Sequence, residues 1–303
     1  MGEASKESLS LKLLLNFLVL ALLWTPLRAD VFSLEYPNDP EKIRGVWSAP
    51  LLSFFLPGAD QWSEGQYQQG AFYSGIAATG LTAGLLAYKQ IDTDCSDCPE
   101  NEPARFLDLG YQLYLGAGSL SAYASFRSAA KVRKKKRNEF AFLETDEPVN
   151  EVLLSPFHFS YFKRWTTYVP LAFASLAFMG RGRYHFGDAA FAGAVSYNAG
   201  TGEEAFFRGW LMPATREATG SDFLSNFLTA ALFSAAHGTS QIMWPQFFGG
   251  FYFGWLTQRN NWSIGESVFV HFWWDVIVIG TEIARTRRDY EAAFFLPLLN
   301  FTY

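Results

Sequence analysis

The sequence predicts an all-α fold, a polytopic bundle of transmembrane helices with roughly six to eight hydrophobic segments, preceded by a signal peptide or N-terminal anchor helix. Three observations carry this expectation. Half of the 303 residues are hydrophobic, and 30 Phe, 14 Tyr and 10 Trp are among them. Large aromatics at that density suit a chain that meets a lipid–water boundary. Charged residues make up only 17% and gather in clusters between apolar runs. The mean hydropathy is only +0.03, which describes polar loops joined to short spans. A net charge of −5 offers no electrostatic reason for a nucleic-acid partner.

In chain order, residues 13–24 form a short apolar core behind Lys6 and Lys12, followed by Pro26 and the small residue Ala29. This pattern fits either a secretory signal peptide or an uncleaved anchor over residues 1–29. Residues 30–44 read as extended or irregular. Residues 47–57 are apolar but too short to span, with Pro50 and Pro57, which suits an interfacial or re-entrant piece. Residues 71–88 are rich in Gly and Ala, as closely packed membrane helices are.

Cys95 and Cys98 form a C-x-x-C in an acidic loop, read as a loop staple or idle thiols ahead of a redox pair. A second span is expected at residues 106–126. It ends at Lys131, Arg133, Lys134, Lys135, Lys136 and Arg137, a cytoplasmic marker. Residues 139–162 are mixed and interfacial. Apolar segments follow at 165–179, 189–212, 223–236, 247–256 and 264–279. Five spans would put the Lys131 block and the Arg285, Arg287, Arg288 cluster on opposite sides, so one segment is re-entrant or the last cluster lies outside. The composition divides the chain into an accessory membrane region over 30–183, a chemical core over 184–280 and a tail over 281–303.

Three of the apolar segments carry ionisable groups, each costing roughly 2.5–3.5 kcal/mol to insert. Residues 189–212 carry Glu203, Glu204 and Arg208. On an α-helix Glu204 and Arg208 stand at i and i+4 in the favourable order for an ion pair. Glu203 lies about 100° round the helix, which leaves it as a candidate base. His237 ends the segment at 223–236, and His271 and Asp275 share one face of 264–279. A site in a bundle interior draws its groups from several helices in this way. His158 and His185 lack such company and receive no role.

The runs Gly202-Glu203-Glu204-Ala205-Phe206-Phe207-Arg208-Gly209, Phe233-Ser234-Ala235-Ala236-His237 and His271-Phe272-Trp273-Trp274-Asp275 together resemble the CPBP intramembrane proteases. This is the CAAX prenyl protease and bacteriocin-processing group, also called Abi proteins. Its pattern is E-E-x-x-x-R, F-x-x-x-H and H-x-x-x-N or D, in that order. The resemblance covers residues 184–280.

It implies an endopeptidase in which Glu203 and His237 activate water against a peptide carbonyl. Glu204, His271 and Asp275 would orient groups or stabilise the oxyanion, and Arg208 would hold Glu204. In one version His237, His271 and Glu203 bind zinc; in the other the mechanism is metal-free. Where Asn stands in the family, an ionised Asp275 cannot donate, so it holds the His271 tautomer, ligates a metal or is protonated, and the i and i+4 spacing favours the first.

The implied substrate is a membrane-embedded or membrane-anchored protein or peptide, and the other partner is the lipid bilayer. The start of the chain and the basic block suggest a bacterial inner (plasma) membrane. The alternative function is a non-catalytic scaffold, immunity or binding protein of the same fold.

Overall fold

In the computed structural model residues 43–91, 102–178, 186–237 and 243–285 are described, and among them every regular element is helical. The N-terminal signal or anchor segment, the Cys95–Cys98 pair, His185 and the Arg287–Arg288 cluster lie outside the described residues. A short helix α1 (Ser48–Phe55) and a single turn α2 (Ala59–Ser63) precede the long helices α3 (Tyr67–Ile91) and α4 (Glu102–Arg137). Pro50 falls in the first turn of α1, where its missing N–H leaves no intrahelical bond unmade. Then come α5 (Val149–Leu154) and two 3₁₀ turns, Ser155–Phe157 and Phe159–Lys163. The C-terminal half contains α6 (Trp165–Phe178), α7 (Phe186–Asn198), α8 (Met212–Thr219), α9 (Asp222–His237), α10 (Trp244–Arg259) and α11 (Gly265–Arg285).

Two differences from the sequence reading concern length. The span expected at 106–126 is the middle of α4, which runs 36 residues and carries the basic block as its last turns. Of the described helices, only Tyr67–Gln90 is both long and apolar enough to cross a membrane. Helices α6, α9 and α10 have 14 to 16 residues, about 21–24 Å of rise, against a hydrocarbon layer of about 30 Å.

Small residues set the packing. A Cβ on Gly80 of α3 would lie 2.5 Å from the carbonyl oxygen of Gly110 in α4, and the reverse also holds. The two backbones therefore touch, as the Gly-rich composition of 71–88 suggests. Farther along α4, Gly116 faces Asn198, and a Cβ on Gly202 would stand 3.2 Å from the Gly116 Cα. Helix α4 thus serves as the strut against which the chemical core is laid.

The start of α11 is held by an acid from outside that core. Glu147, 4% exposed, accepts from Ile264 N (2.9 Å), Gly265 N (3.1 Å) and Ser263 Oγ (2.8 Å). A carboxylate over the first free N–H groups also complements the helix dipole. The loop carrying Glu147 is pinned by the basic end of α4: Arg127 donates to the Thr145 carbonyl, Lys134 to the Leu143 carbonyl, and Lys131 pairs with Asp146.

Candidate functional site

The segment bearing the two glutamates is not the regular α-helix the sequence predicts. Between α7 and α8 the chain widens into two π-helical stretches, Ala199–Glu203 and Ala205–Leu211. Its residues explain how the widening is tolerated. Thr201 Oγ1 donates to the Tyr197 carbonyl and Asn198 Nδ2 to the Ala194 carbonyl, occupying acceptors along the run. Ala199, Gly200 and Gly202 also leave little side chain to crowd the wider turn. Gly200 is needed for a second reason: its Cβ would meet the Phe272 backbone nitrogen of α11 at 3.0 Å.

A π turn holds more residues than an α turn, so successive side chains are rotated by less than about 100°. Glu203 and Glu204 therefore diverge less than an α-helix would make them, and both reach the same histidine. Glu204 is fully buried, and its Oε1 is 2.9 Å from His271 Nδ1 and 2.9 Å from Arg208 Nη1. Glu203, 30% exposed, places Oε2 3.6 Å from His237 Nε2 and 3.9 Å from His271 Nε2. Asp275 Oδ2 stands 3.4 Å from His271 Nε2.

These contacts assign the ring nitrogens. His237 Nδ1 lies 2.7 Å from the Phe233 carbonyl, which only accepts, so Nδ1 carries the proton and Nε2 is turned toward Glu203. His271 Nδ1 donates in the same way to Glu204, which also accepts from Arg208. His271 is thus held from both sides, by Glu204 at Nδ1 and by Asp275, the residue to which the sequence reading gives the orienting role, at Nε2. The Glu203 Oε2 atom is buried and has no hydrogen-bond partner.

Arg208 is 1% exposed. Besides Glu204, it donates to the Gly250 carbonyl at 2.8 Å. The rings of Phe233, Phe253 and Phe207 lie 4.3, 5.4 and 5.7 Å from its guanidinium carbon. A buried, aromatic-lined cation paired with a buried carboxylate makes a rigid base for the site.

Sequence reading passed over Phe253, which stacks on His271 at 4.8 Å and 19°. It also passed over Gly250, whose Cβ would meet Arg208 Nη2 at 3.0 Å. The Gly249-Gly250 pair inside an apolar helix was the available signal of a close approach. His158 sits apart beside Tyr161.

The five predicted residues thus come from the π segment, α9 and α11, and their polar groups converge. Two imidazole Nε2 atoms and a carboxylate are chemically a set that zinc accepts. Among the described residues no group of three His, Cys, Asp or Glu side chains is arranged as a formed metal site, and the Glu203–imidazole separations of 3.6 and 3.9 Å are wider than those about a bound zinc.

Residues 185–277 match the family model described as type II CAAX prenyl endopeptidase Rce1-like. That is the group which the three motifs resemble. No curated protein and no solved structure matches the chain.

Proposed function

We propose that this chain is an intramembrane endopeptidase that hydrolyses a peptide bond of a membrane-associated protein or peptide, using water activated between Glu203 and His237. The observation that carries this reading is the position of the Glu203 carboxylate, 3.6 Å from one imidazole and 3.9 Å from the other. Both distances exceed a direct hydrogen bond and suit a bridging water. The family match over 185–277 supports the reaction class.

In this reading a water donates one hydrogen to Glu203 and the other to His237 Nε2, leaving a lone pair for the carbonyl carbon. As the C–O bond forms, Glu203 takes the proton. It returns that proton to the amine nitrogen as the C–N bond breaks. His271, held by Glu204 and flanked by Asp275, is placed to donate to the developing oxyanion when Nε2 is protonated. The fully buried Glu204–Arg208 pair fixes the ring and takes no proton in either step.

Zinc would supply polarisation of the same water. The donors as placed would have to close further to hold it, and no step above depends on it. Elemental analysis of the purified protein, with activity before and after chelation, separates the two versions.

Embedding in lipid accounts for the surface. Leu85, Phe173, Leu176, Phe223 and Phe248 are each more than 60% exposed. Apolar surface on so many helices exceeds the patches that soluble monomers show. The short helices α6, α9 and α10 would then be partial spans, completed by neighbouring elements or local thinning of the bilayer.

The test is cleavage of membrane-anchored peptides by the protein reconstituted in lipid, read by mass spectrometry. Glu203→Gln should lower the rate by about 10²–10⁴, the usual worth of a general base, with the thermal midpoint unchanged. Cleavage at the wild-type rate by that variant would remove the mechanism. A cellular phenotype that persists without cleavage would favour the non-catalytic scaffold.

A further inference from the structure

Residues 47–57, whose sequence suits an interfacial or re-entrant piece, fall on α1 and the turn after it, outside the segment that matches the family model. Helix α1 runs alongside α4 from the basic end inward. At its start, Arg133 Nε donates to the Arg44 carbonyl at 2.9 Å. Trp47 and Arg133 also line one shared cavity of about 460 Å³. At its end, a Cβ on Gly118 would lie 2.4 Å from the Phe54 carbonyl oxygen. From Gly118 to Arg133 is about 22 Å along α4 at about 1.5 Å per residue. On α3 the turn between α1 and α2 meets Gly70 and Ser74, the fourth and eighth residues of that helix, so its level is below the basic end of α4 and above the middle of α3.

The turn itself is non-helical, and its backbone polar groups are satisfied by protein. The Phe55 carbonyl accepts from Tyr114 OH at 2.6 Å, and the Pro57 carbonyl from Ser74 Oγ at 2.8 Å. Gly58 N donates to Ser121 Oγ at 2.9 Å, and its positive φ of 92° turns the chain back. The Leu56 and Gly58 carbonyls accept from Ala59 N and Trp62 N. In water the solvent would serve these groups. Irregular backbone at membrane depth requires protein partners, and here they are supplied.

The returning turn, α2, hides its polar groups against α4. Asp60 pairs with Arg44 and accepts from Ser125 Oγ, while Gln61 Nε2 donates to the Ser121 carbonyl. The outer face is apolar: Leu51, Leu52, Phe55 and Leu56 are 47–60% exposed.

We infer that residues 45–65 form a re-entrant hairpin that dips from the basic side into the hydrocarbon layer to the level of Gly70–Ser74 on α3, with lipid acyl chains covering Leu51, Leu52, Phe55 and Leu56. This rests on the reading that the chain is membrane-embedded.

The test uses the full chain in lipid nanodiscs with Cys95 and Cys98 replaced by Ser. Single nitroxide labels are placed at position 47, 52, 55, 78 or 135. Power saturation by oxygen and by nickel-EDDA gives the depth of each. Burial should deepen from 47 through 52 to 55, with 55 protected from nickel but shallower than position 78 in the middle of α3, and position 135 open to nickel. If 55 is as open to nickel as 135 while 78 is protected, the hairpin is interfacial and the inference falls. The inference also falls if 47, 52 and 55 share one depth. If position 78 is open as well, the embedded reading fails and takes the hairpin with it.

Discussion

At the residue scale, the ionisable groups of the apolar segments were legible because a charge in such a segment needs a partner. Glu204 and Arg208 were expected to pair at i and i+4, and they do so at 2.9 Å with both side chains almost wholly buried. Removing one partner leaves a buried charge uncompensated. Arg208→Met should therefore cost about 3–5 kcal/mol, measured by thermal unfolding in detergent. Replacing Glu204 by Met in the same chain should restore part of the loss, because no lone carboxylate remains although His271 Nδ1 loses its acceptor. A loss below about 1 kcal/mol for the single variant would show that Glu204 finds another partner. The aromatic housing of Arg208 was not legible. Phe207, Phe233 and Phe253 look like any other apolar residues in a chain with 30 Phe, and only their convergence distinguishes them.

At the element scale, helix positions were readable from apolar runs, while winding and depth were not. A regular α-helix was expected through Glu203, and the structure has a π segment instead. Hydrophobic pattern does not report the few residues, Asn198, Thr201 and the small ones beside them, that let the turn widen. Gly200 tests the packing of that segment on α11. Gly200→Ala places a methyl 3.0 Å from the Phe272 backbone and should cost about 1–3 kcal/mol as an overpacked contact, with a fall in cleavage as His271 moves from Glu203. Gly193→Ala on α7 meets nothing within 4 Å, so it should be neutral or slightly stabilising. Equal effects of the two would mean that the segment does not bear on α11. Glu147 offers a second test from outside the core. Glu147→Ala leaves the Ile264 and Gly265 N–H groups without their acceptor, a cost of about 1–3 kcal/mol for each buried group. Glu147→Gln keeps one acceptor oxygen and should lose less. If the Ala and Gln variants unfold at the same temperature, the carboxylate does not hold α11.

At the scale of the whole molecule, the order of the three motifs pointed to a single site, but only the fold brings them to one place. Helix α4 supports the π segment, Glu147 fixes the start of α11, and α9 delivers His237. The accessory region was legible as helical, and its described elements are helical. The depth of its turn at Gly58 was not legible, because Pro57-Gly58 signals a turn at any depth. The central claim is that Glu203 and His237 act on one water as a single device. Cleavage rates of wild type, Glu203→Gln, His237→Asn and the double variant, with folding checked for each, test it most directly. Groups that act as a unit are strongly non-additive, so the double variant should lose about as much as either single one. Losses that multiply, or a single variant that keeps the wild-type rate, would contradict the shared site.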